Sequence, residues 1–188
     1  MNDANRRKSL VSMLVLMSCM AMVESSYLYQ GRSFTPITGE NSLRVEIQSM
    51  IEESPGTYFR STIRMTNRTV GVIQYHLNWL MDHNKIVSYE THNYKGFFPS
   101  SMVKLPEKKK RALIMLRIPV KHEILTTLVH KGEIPQQQLV EEMKLTDQTL
   151  SYQLKILEKM ELITRERTGL GKVVKMDEEL RQFLLKYI

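Results

Sequence analysis

A chain of 188 residues, 42% apolar and 25% charged, has the composition of an ordinary folded protein, which excludes disorder as its main state. Its single cysteine, Cys19, excludes an internal disulfide and a structural cysteine zinc site, and suits a reducing compartment. The net charge is +7, and residues 103–118 hold most of the excess with six basic residues against one acid. Such a surplus suits a polyanion partner, against the plainer reading of a solvated charge run.

In chain order, the first feature is an apolar run, LVSMLVLMSCMAMV, at residues 10–23, preceded by Arg6, Arg7 and Lys8. About 14 residues falls short of the roughly 20 a membrane span needs. Length and basic flank suit the core of a signal peptide, and Leu16-Met17-Ser18-Cys19 resembles a lipoprotein cleavage box in which Met17 fits poorly. Two other readings are a helix packed on the rest of the chain or on a second chain, and a membrane tether. Residues 33–41 are polar, marked by Pro36 and Gly39, and read as a linker that closes an N-terminal segment of residues 1–41.

From there the chain repeats itself. Residues 45–88 and 122–165 align at a constant offset of 77 without a gap. Ile47 falls on Ile124, Ile51 on Leu128, Ile63 on Val140 and Thr69 on Thr146; Tyr75 falls on Tyr152, Leu77 on Leu154, Leu80 on Leu157 and Ile86 on Ile163. Each copy reads as a helix, a breaker, a short helix, a tight turn, a longer helix and a β-hairpin. That order is a winged helix-turn-helix, whose third helix normally enters a DNA major groove.

In the first copy, residues 42–102, the spacing of Val45, Ile47, Met50 and Ile51 predicts a helix over 43–53, ended by Pro55-Gly56. A second helix is predicted over 58–65. Thr69 is placed to cap a third helix reaching about residue 82. Ile73, Leu77 and Leu80 form its inner stripe, which leaves Gly71, Gln74, Tyr75 and Asn78 facing out. Residues 86–90 and Phe97-Phe98 read as the two strands of the wing, with Lys95 near its tip. Residues 103–118 read as a basic linker helix over 107–117, with Ala112, Leu113 and Leu116 on its apolar face.

The second copy, residues 119–188, begins with a helix over 120–130, stopped by Lys131-Gly132. Pro135 opens the next helix, and Thr146 caps a third over 147–160 with Leu150, Leu154 and Leu157 inward. Gln148, Ser151, Tyr152 and Lys155 then face out. Residues 162–164 start the wing, 165–172 form its loop with Arg165, Arg167 and Lys172, and Asp177 caps a last helix reaching Ile188. The fold class expected is mainly α with small β-hairpin wings (α+β): two tandem winged helix-turn-helix domains.

The stretches "TVGVIQYHLNWLMDHNKI" and "KHEILTTLVHKGEIPQQQLVEEMKLTDQTLSYQLKILEKMELITRE" resemble tandem winged helix-turn-helix transcriptional regulators of archaea, related to the ArsR/MarR-like groups, over about residues 42–176. That resemblance implies binding of duplex DNA through the third helix and wing, and dimers are expected of the class, although two repeats could serve as a pseudo-dimer. Three departures stand out. Arg68 replaces the leucine that usually precedes the cap threonine, Gln153 stands where the first copy has His76, and no Lys or Arg occurs between Thr69 and Asp82. The last matters because arginine to guanine is the commonest direct readout.

The functional expectation is a DNA-binding transcriptional regulator. Base reading falls to Gln74, Asn78, Gln148, Ser151 and Lys155, with Tyr75 and Tyr152 offering hydroxyls to phosphates or bases, Gly71 permitting close approach, and the cap residues Thr69 and Thr146 counted in the same DNA-binding set. Lys95, Arg165, Arg167, Lys172 and the linker lysines would hold phosphates. His76 and His83 share a face without metal-ligand companions, and neither a Gly-rich phosphate loop, a G-x-S-x-G elbow nor an H-E-x-x-H motif is present, so no enzyme, metal or cofactor is expected. A secreted DNA reader makes little physical sense, so a cytoplasmic protein is expected, with membrane association through residues 10–23 as the alternative. The competing classes are a winged-helix protein–protein scaffold and a membrane-tethered regulator.

Overall fold

A computed structural model of the chain describes residues 40–188, apart from positions 92 and 170. The apolar run 10–23 lies outside the described residues, as does most of the linker after it. Among the described residues no helix is long and apolar enough to cross a membrane.

The first repeat runs α1 (Glu40–Glu53), β1 (Thr57–Tyr58), α2 (Phe59–Thr66), α3 (Val70–Asp82), β2 (Ile86–Thr91) and β3 (Tyr94–Pro99). After α4 (Glu107–Leu116) the second runs α5 (Pro119–Lys131), β4 (Glu133–Pro135), α6 (Gln136–Met143), α7 (Asp147–Lys159), β5 (Thr164–Thr168), β6 (Gly171–Lys175) and α8 (Glu178–Leu184). Each repeat closes a three-stranded antiparallel sheet, ordered β1-β3-β2 and β4-β6-β5. This is a tandem winged helix-turn-helix fold.

The backbone repeats as faithfully as the apolar pattern. Asn67 and Lys144 end the second helices in the left-handed region at φ 51° and 52°, and Asn84 and Glu161 follow the third helices at φ 54° and 61°. Both pairs are 77 positions apart. A left-handed residue is costly for anything but glycine or asparagine, so Lys144 and Glu161 hold that geometry because the helix-turn-helix requires it. Gly132 ends α5 at φ 76°, the stop expected of it.

Several boundaries differ from the sequence reading, each for a physical reason. The short strands β1 and β4 were not expected, because two or three residues carry no readable period; Tyr58 and Pro135 belong to them rather than to helices. The first strand of the second wing begins at Thr164 rather than Leu162, and it continues through Arg165, Glu166, Arg167 and Thr168, which read as loop because nothing in them alternates in hydropathy. Backbone pairing such as Arg167 with Lys172 holds that ribbon together instead. The last helix ends at Leu184, four residues before the expected Ile188.

The largest difference concerns residues 103–118. A helical stretch that is apolar on every side is a buried one, and in the second half of α4 all five residues from Ala112 to Leu116 are buried, including Ile114 and Met115, not only the expected face. These residues share one core with Phe98 of β3 and with Ile124, Leu128, Leu150, Leu154 and Leu157 of the second repeat. A smaller core holds Ile47, Ile51, Ile73, Leu77, Leu80, Ile86 and Phe97. The α4 helix also lies close to the first sheet, where a Cβ on Gly96 would stand 2.5 Å from Ile114 Cγ1.

The basic residues of α4 are held within the chain. Lys108 bonds Asp177, Lys109 reaches Glu179 at 2.8 Å, and Arg111 reaches Glu161 at 2.5 Å. Lys110 donates to the Val103 carbonyl at 2.7 Å and stands over the Tyr89 ring. The expectation that the linker lysines face a polyanion is therefore corrected for these residues: they fasten α4 to the C-terminal part of the second repeat and to the first hairpin. Lys104, in the turn before α4, is exposed.

Asp177 caps α8 by accepting the Leu180 N–H at 2.8 Å, and it faces Lys108. Burial alone would raise its carboxyl, but the Lys108 ammonium and the Leu180 amide outweigh it and hold the group below the ordinary aspartate value. A carboxyl lowered in the folded state contributes stability above its unfolded value, about 4, and loses it as pH falls through the folded one. Asp177→Asn keeps a capping oxygen and removes the charge. It is expected to melt about 1–2 °C below the parent at pH 7, a cost of about 0.5 kcal/mol for so exposed a pair. The gap should close as the pH is lowered below about 4; a gap that stays constant with pH would assign the effect to something other than the charge.

Candidate nucleic-acid interface

The third helix of the second repeat is built to present one face. Thr146 precedes α7 in an extended conformation, and its hydroxyl accepts the Thr149 N–H at 3.2 Å, which satisfies one of the helix's orphan donors. Leu150, Leu154 and Leu157 are buried. The 3.6-residue period then leaves Gln148, Tyr152 and Lys155 exposed and Ser151 half-buried, as the sequence implied. Tyr152 is 63% exposed, with no hydrogen bond to another described residue.

The second wing stands beside this helix. Arg165 donates through Nε and Nη2 to Glu158 Oε2 at 3.1 and 2.5 Å, fastening β5 to α7. Lys175 lies 3.3 Å from Glu133 and 3.0 Å from Glu166, and hydrogen bonds to these two carboxylates raise its ammonium above the ordinary lysine value. Arg167 and Lys172 face each other across the strands near the tip, both exposed and with no acidic partner among the described residues. Thr168 donates to the Gly171 carbonyl at 3.1 Å to close the turn, where Gly171 adopts φ 111°. An open cleft of about 450 Å³ lies between wing and helices, lined by Gln136, Gln137, Val140, Asp147 and Lys172.

The first repeat arranges the matching residues differently. Thr69 precedes α3 in the same extended conformation but makes no side-chain cap. Gly71, Gln74, Tyr75 and Asn78 are all exposed. Gln74 donates to Asn78 at 2.9 Å, so these two expected base readers bind each other. The Tyr75 hydroxyl accepts from Arg44 of α1 at 3.2 Å, and the Arg44 guanidinium stands 4.3 Å from the Trp79 ring centre. Tyr75 and Tyr152, equivalent in sequence, thus differ in engagement.

The first hairpin has one face turned inward. Register places Val87, Tyr89 and Thr91 beside Phe98, Gly96 and Tyr94 on one face. Val87, Tyr89 and Tyr94 pack on the core of the second repeat. Thr91 donates to Met160 Sδ at 3.3 Å, and buried Lys121 donates to the Tyr94 hydroxyl at 3.4 Å. This hairpin is a strut between the repeats as well as a wing. Lys95, expected near the tip, lies 3.2 Å from Glu90 on the neighbouring strand.

Sequence reading missed a basic set in the first repeat. Arg60 and Arg64, one turn apart on α2, and Arg68, just past its end, are all exposed, and no described acid pairs with them. Their four-residue spacing was legible, but it was overlooked beside Phe59 and Ile63, the apolar residues of the same helix. Gln136 was also missed. No charge or period marks it, and its role depends on two residues at positions 147 and 151. Among the described residues no group of His, Cys, Asp or Glu side chains could hold a metal ion.

Comparison with known proteins finds a helix-turn-helix match in each repeat. Residues 41–113 match a family of N-terminal HTH domains, and residues 119–168 match the MarR family. An uncharacterized HTH-type transcriptional regulator of Methanocaldococcus jannaschii is 24% identical over 143 residues, covering 76% of this chain and 35% of that protein. The chain therefore spans about a third of the length of this curated relative. Among solved structures, ScpB from Mycobacterium tuberculosis aligns over 80% of this chain and 98% of its own at 13% identity, with a TM-score of 0.29. That likeness is too loose to bear on the fold. With an HTH domain match in its first half and a MarR match in its second, the chain is similar to winged helix-turn-helix regulators in both repeats.

Proposed function

We propose that the protein regulates transcription by binding duplex DNA, the second repeat reading sequence and the first holding the phosphate backbone. The observation that carries this reading is the cleft of the second repeat, where Asp147 opens the third helix and Lys172 belongs to the wing. Helix and wing thus flank one opening, as a groove-bound helix with a wing on the adjacent backbone requires. Gln148, Ser151, Tyr152 and Lys155 supply the base contacts; Arg167 and Lys172 supply phosphate contacts, joined by Arg60, Arg64 and Arg68 from the first repeat. The first third helix has no cation, and its amides are paired with each other, so its share in base reading is the smaller.

Two substitutions test this division. Lys155→Ala is expected to weaken a preferred site by about 1–3 kcal/mol while leaving random DNA nearly unchanged. Arg167→Ala is expected to weaken both alike and to lower the salt slope by about 1. Equal losses on both kinds of DNA for both variants would remove the distinction.

The scaffold reading finds support in one feature of the first repeat. Val70 and Val72 on α3 are 60% and 40% exposed, apolar where a DNA reader carries polar groups. If the scaffold reading holds, the full chain retains no DNA at low salt and binds another protein through this helix.

A further inference from the structure

We infer that Gln136 fixes the hydrogen-bonding sense of Ser151, turning that hydroxyl into a donor toward DNA. The inference deepens the reading of the second repeat as the DNA reader and rests on it. Gln136 is the first residue of α6 and is 6% exposed. Its amide nitrogen lies 3.1 Å from Asp147 Oδ1 and 3.0 Å from Ser151 Oγ, both on α7. An amide nitrogen has two hydrogens, one for each of these acceptors. An ionised carboxylate accepts and cannot donate, so Asp147 decides which end of the amide faces α7.

The consequence falls on Ser151. Its oxygen accepts from Gln136, and its own hydrogen has no acceptor among the described side chains. A half-buried hydroxyl on the outward side of the third helix then offers a donor. The matching groups on a major-groove edge are guanine N7 and O6 and thymine O4; on the backbone they are phosphate oxygens. The amino groups of adenine and cytosine, themselves donors, suit it less.

Two observations separate this arrangement from ordinary packing. Gln136 Oε1 is buried with no hydrogen-bond partner. A buried carbonyl left unpaired is destabilising, so an apolar side chain would serve stability as well. In addition, the arrangement is confined to one repeat: the positions matching 136, 147 and 151 are Phe59, Val70 and Gln74. The repeat without the amide is also the one whose third helix has no cation. Gln136 is accordingly a positioning residue, acting on DNA through Ser151.

The test compares base preference with overall affinity in the full chain, using a pool of random duplex DNA and sequencing of the retained fraction. The unsubstituted protein is expected to enrich a defined site. Gln136→Met, which keeps the length and removes the amide, should bind random DNA within roughly twofold of the parent and with the same salt slope. Its discrimination at the affected base pair should fall roughly tenfold. Ser151→Ala should relax the same base pair, and the double variant should lose no more than either single one. If Gln136→Met loses its thermal transition, Gln136→Asn, shorter by one methylene, makes the same comparison in a folded chain. Preference unchanged by Gln136 variants while Ser151→Ala alters it would overturn the inference, as would additive losses in the double variant. If the unsubstituted chain enriches no site, the DNA-reading proposal itself fails, an outcome distinguishable from failure of the Gln136 role alone.

Discussion

Replacing Gly56 by alanine is expected to cost about 3 kcal/mol and lower the melting temperature by roughly 10 °C. Gly56 holds φ +87°, which costs an L-residue about 1–2 kcal/mol. A Cβ there would stand 2.7 Å from Leu113 C, 2.8 Å from Ile114 N and 2.9 Å from Leu113 O. These are backbone atoms of the buried helix α4 and cannot rotate away, so β1 or the helix must move, and overpacking of this kind costs about 1–3 kcal/mol. The Gly56 N–H also donates to Phe97 O at 2.9 Å, which ties the turn to β3. Gly71→Ala supplies the contrast: nothing lies within 4 Å of its Cβ position and the residue is helical. That variant should melt at or above the parent by up to about 1 kcal/mol of helix propensity. Thermal melts of the two variants decide the matter; Gly56→Ala within 2 °C of the parent (about 0.5–1 kcal/mol) would show that α4 is not seated against the turn as described.

Joint replacement of Arg60, Arg64 and Arg68 by glutamine is expected to lower DNA affinity roughly a hundredfold near 0.1 M salt. It should also reduce the slope of log affinity against log salt by about 2.7, since each neutralised phosphate contributes about 0.9. The three side chains are exposed and without acidic partners among the described residues. Removing them therefore breaks no ion pair, and melting should be nearly unchanged. Random and preferred DNA should weaken together, because phosphates carry no sequence. A salt slope equal to the parent's would reduce the row to a solvated helix face.

The repeat was legible because helix burial imposes a period. Ile73, Leu77 and Leu80 reappear as Leu150, Leu154 and Leu157, and all six are fully or almost fully buried. What the sequence hid was long-range. Nothing near Lys108 or Arg111 announces Asp177 or Glu161 as partners, so the densest positive charge read as a surface for phosphates. Alternation in 86–90 showed a strand, but not that Tyr89 and Tyr94 meet the second repeat. Within α4, Ile114 and Met115 fall off the expected stripe because that helix is enclosed on more than one side. The candidate interface was half visible: the outward residues of both third helices follow from the period alone. Which are free depends on pairs such as Gln74 with Asn78 and Gln136 with Ser151, which only the folded chain brings into contact.

The most direct test of DNA reading by this tandem is a titration of the full chain against pooled fragments of its own genome at several salt concentrations. A few fragments should be retained, with log affinity falling linearly against log salt at a slope of about −4 to −5. That slope corresponds to phosphate contacts by Arg60, Arg64, Arg68, Arg167 and Lys172. Retention of no fragment, or an affinity insensitive to salt, would contradict a DNA-reading role for the two winged repeats.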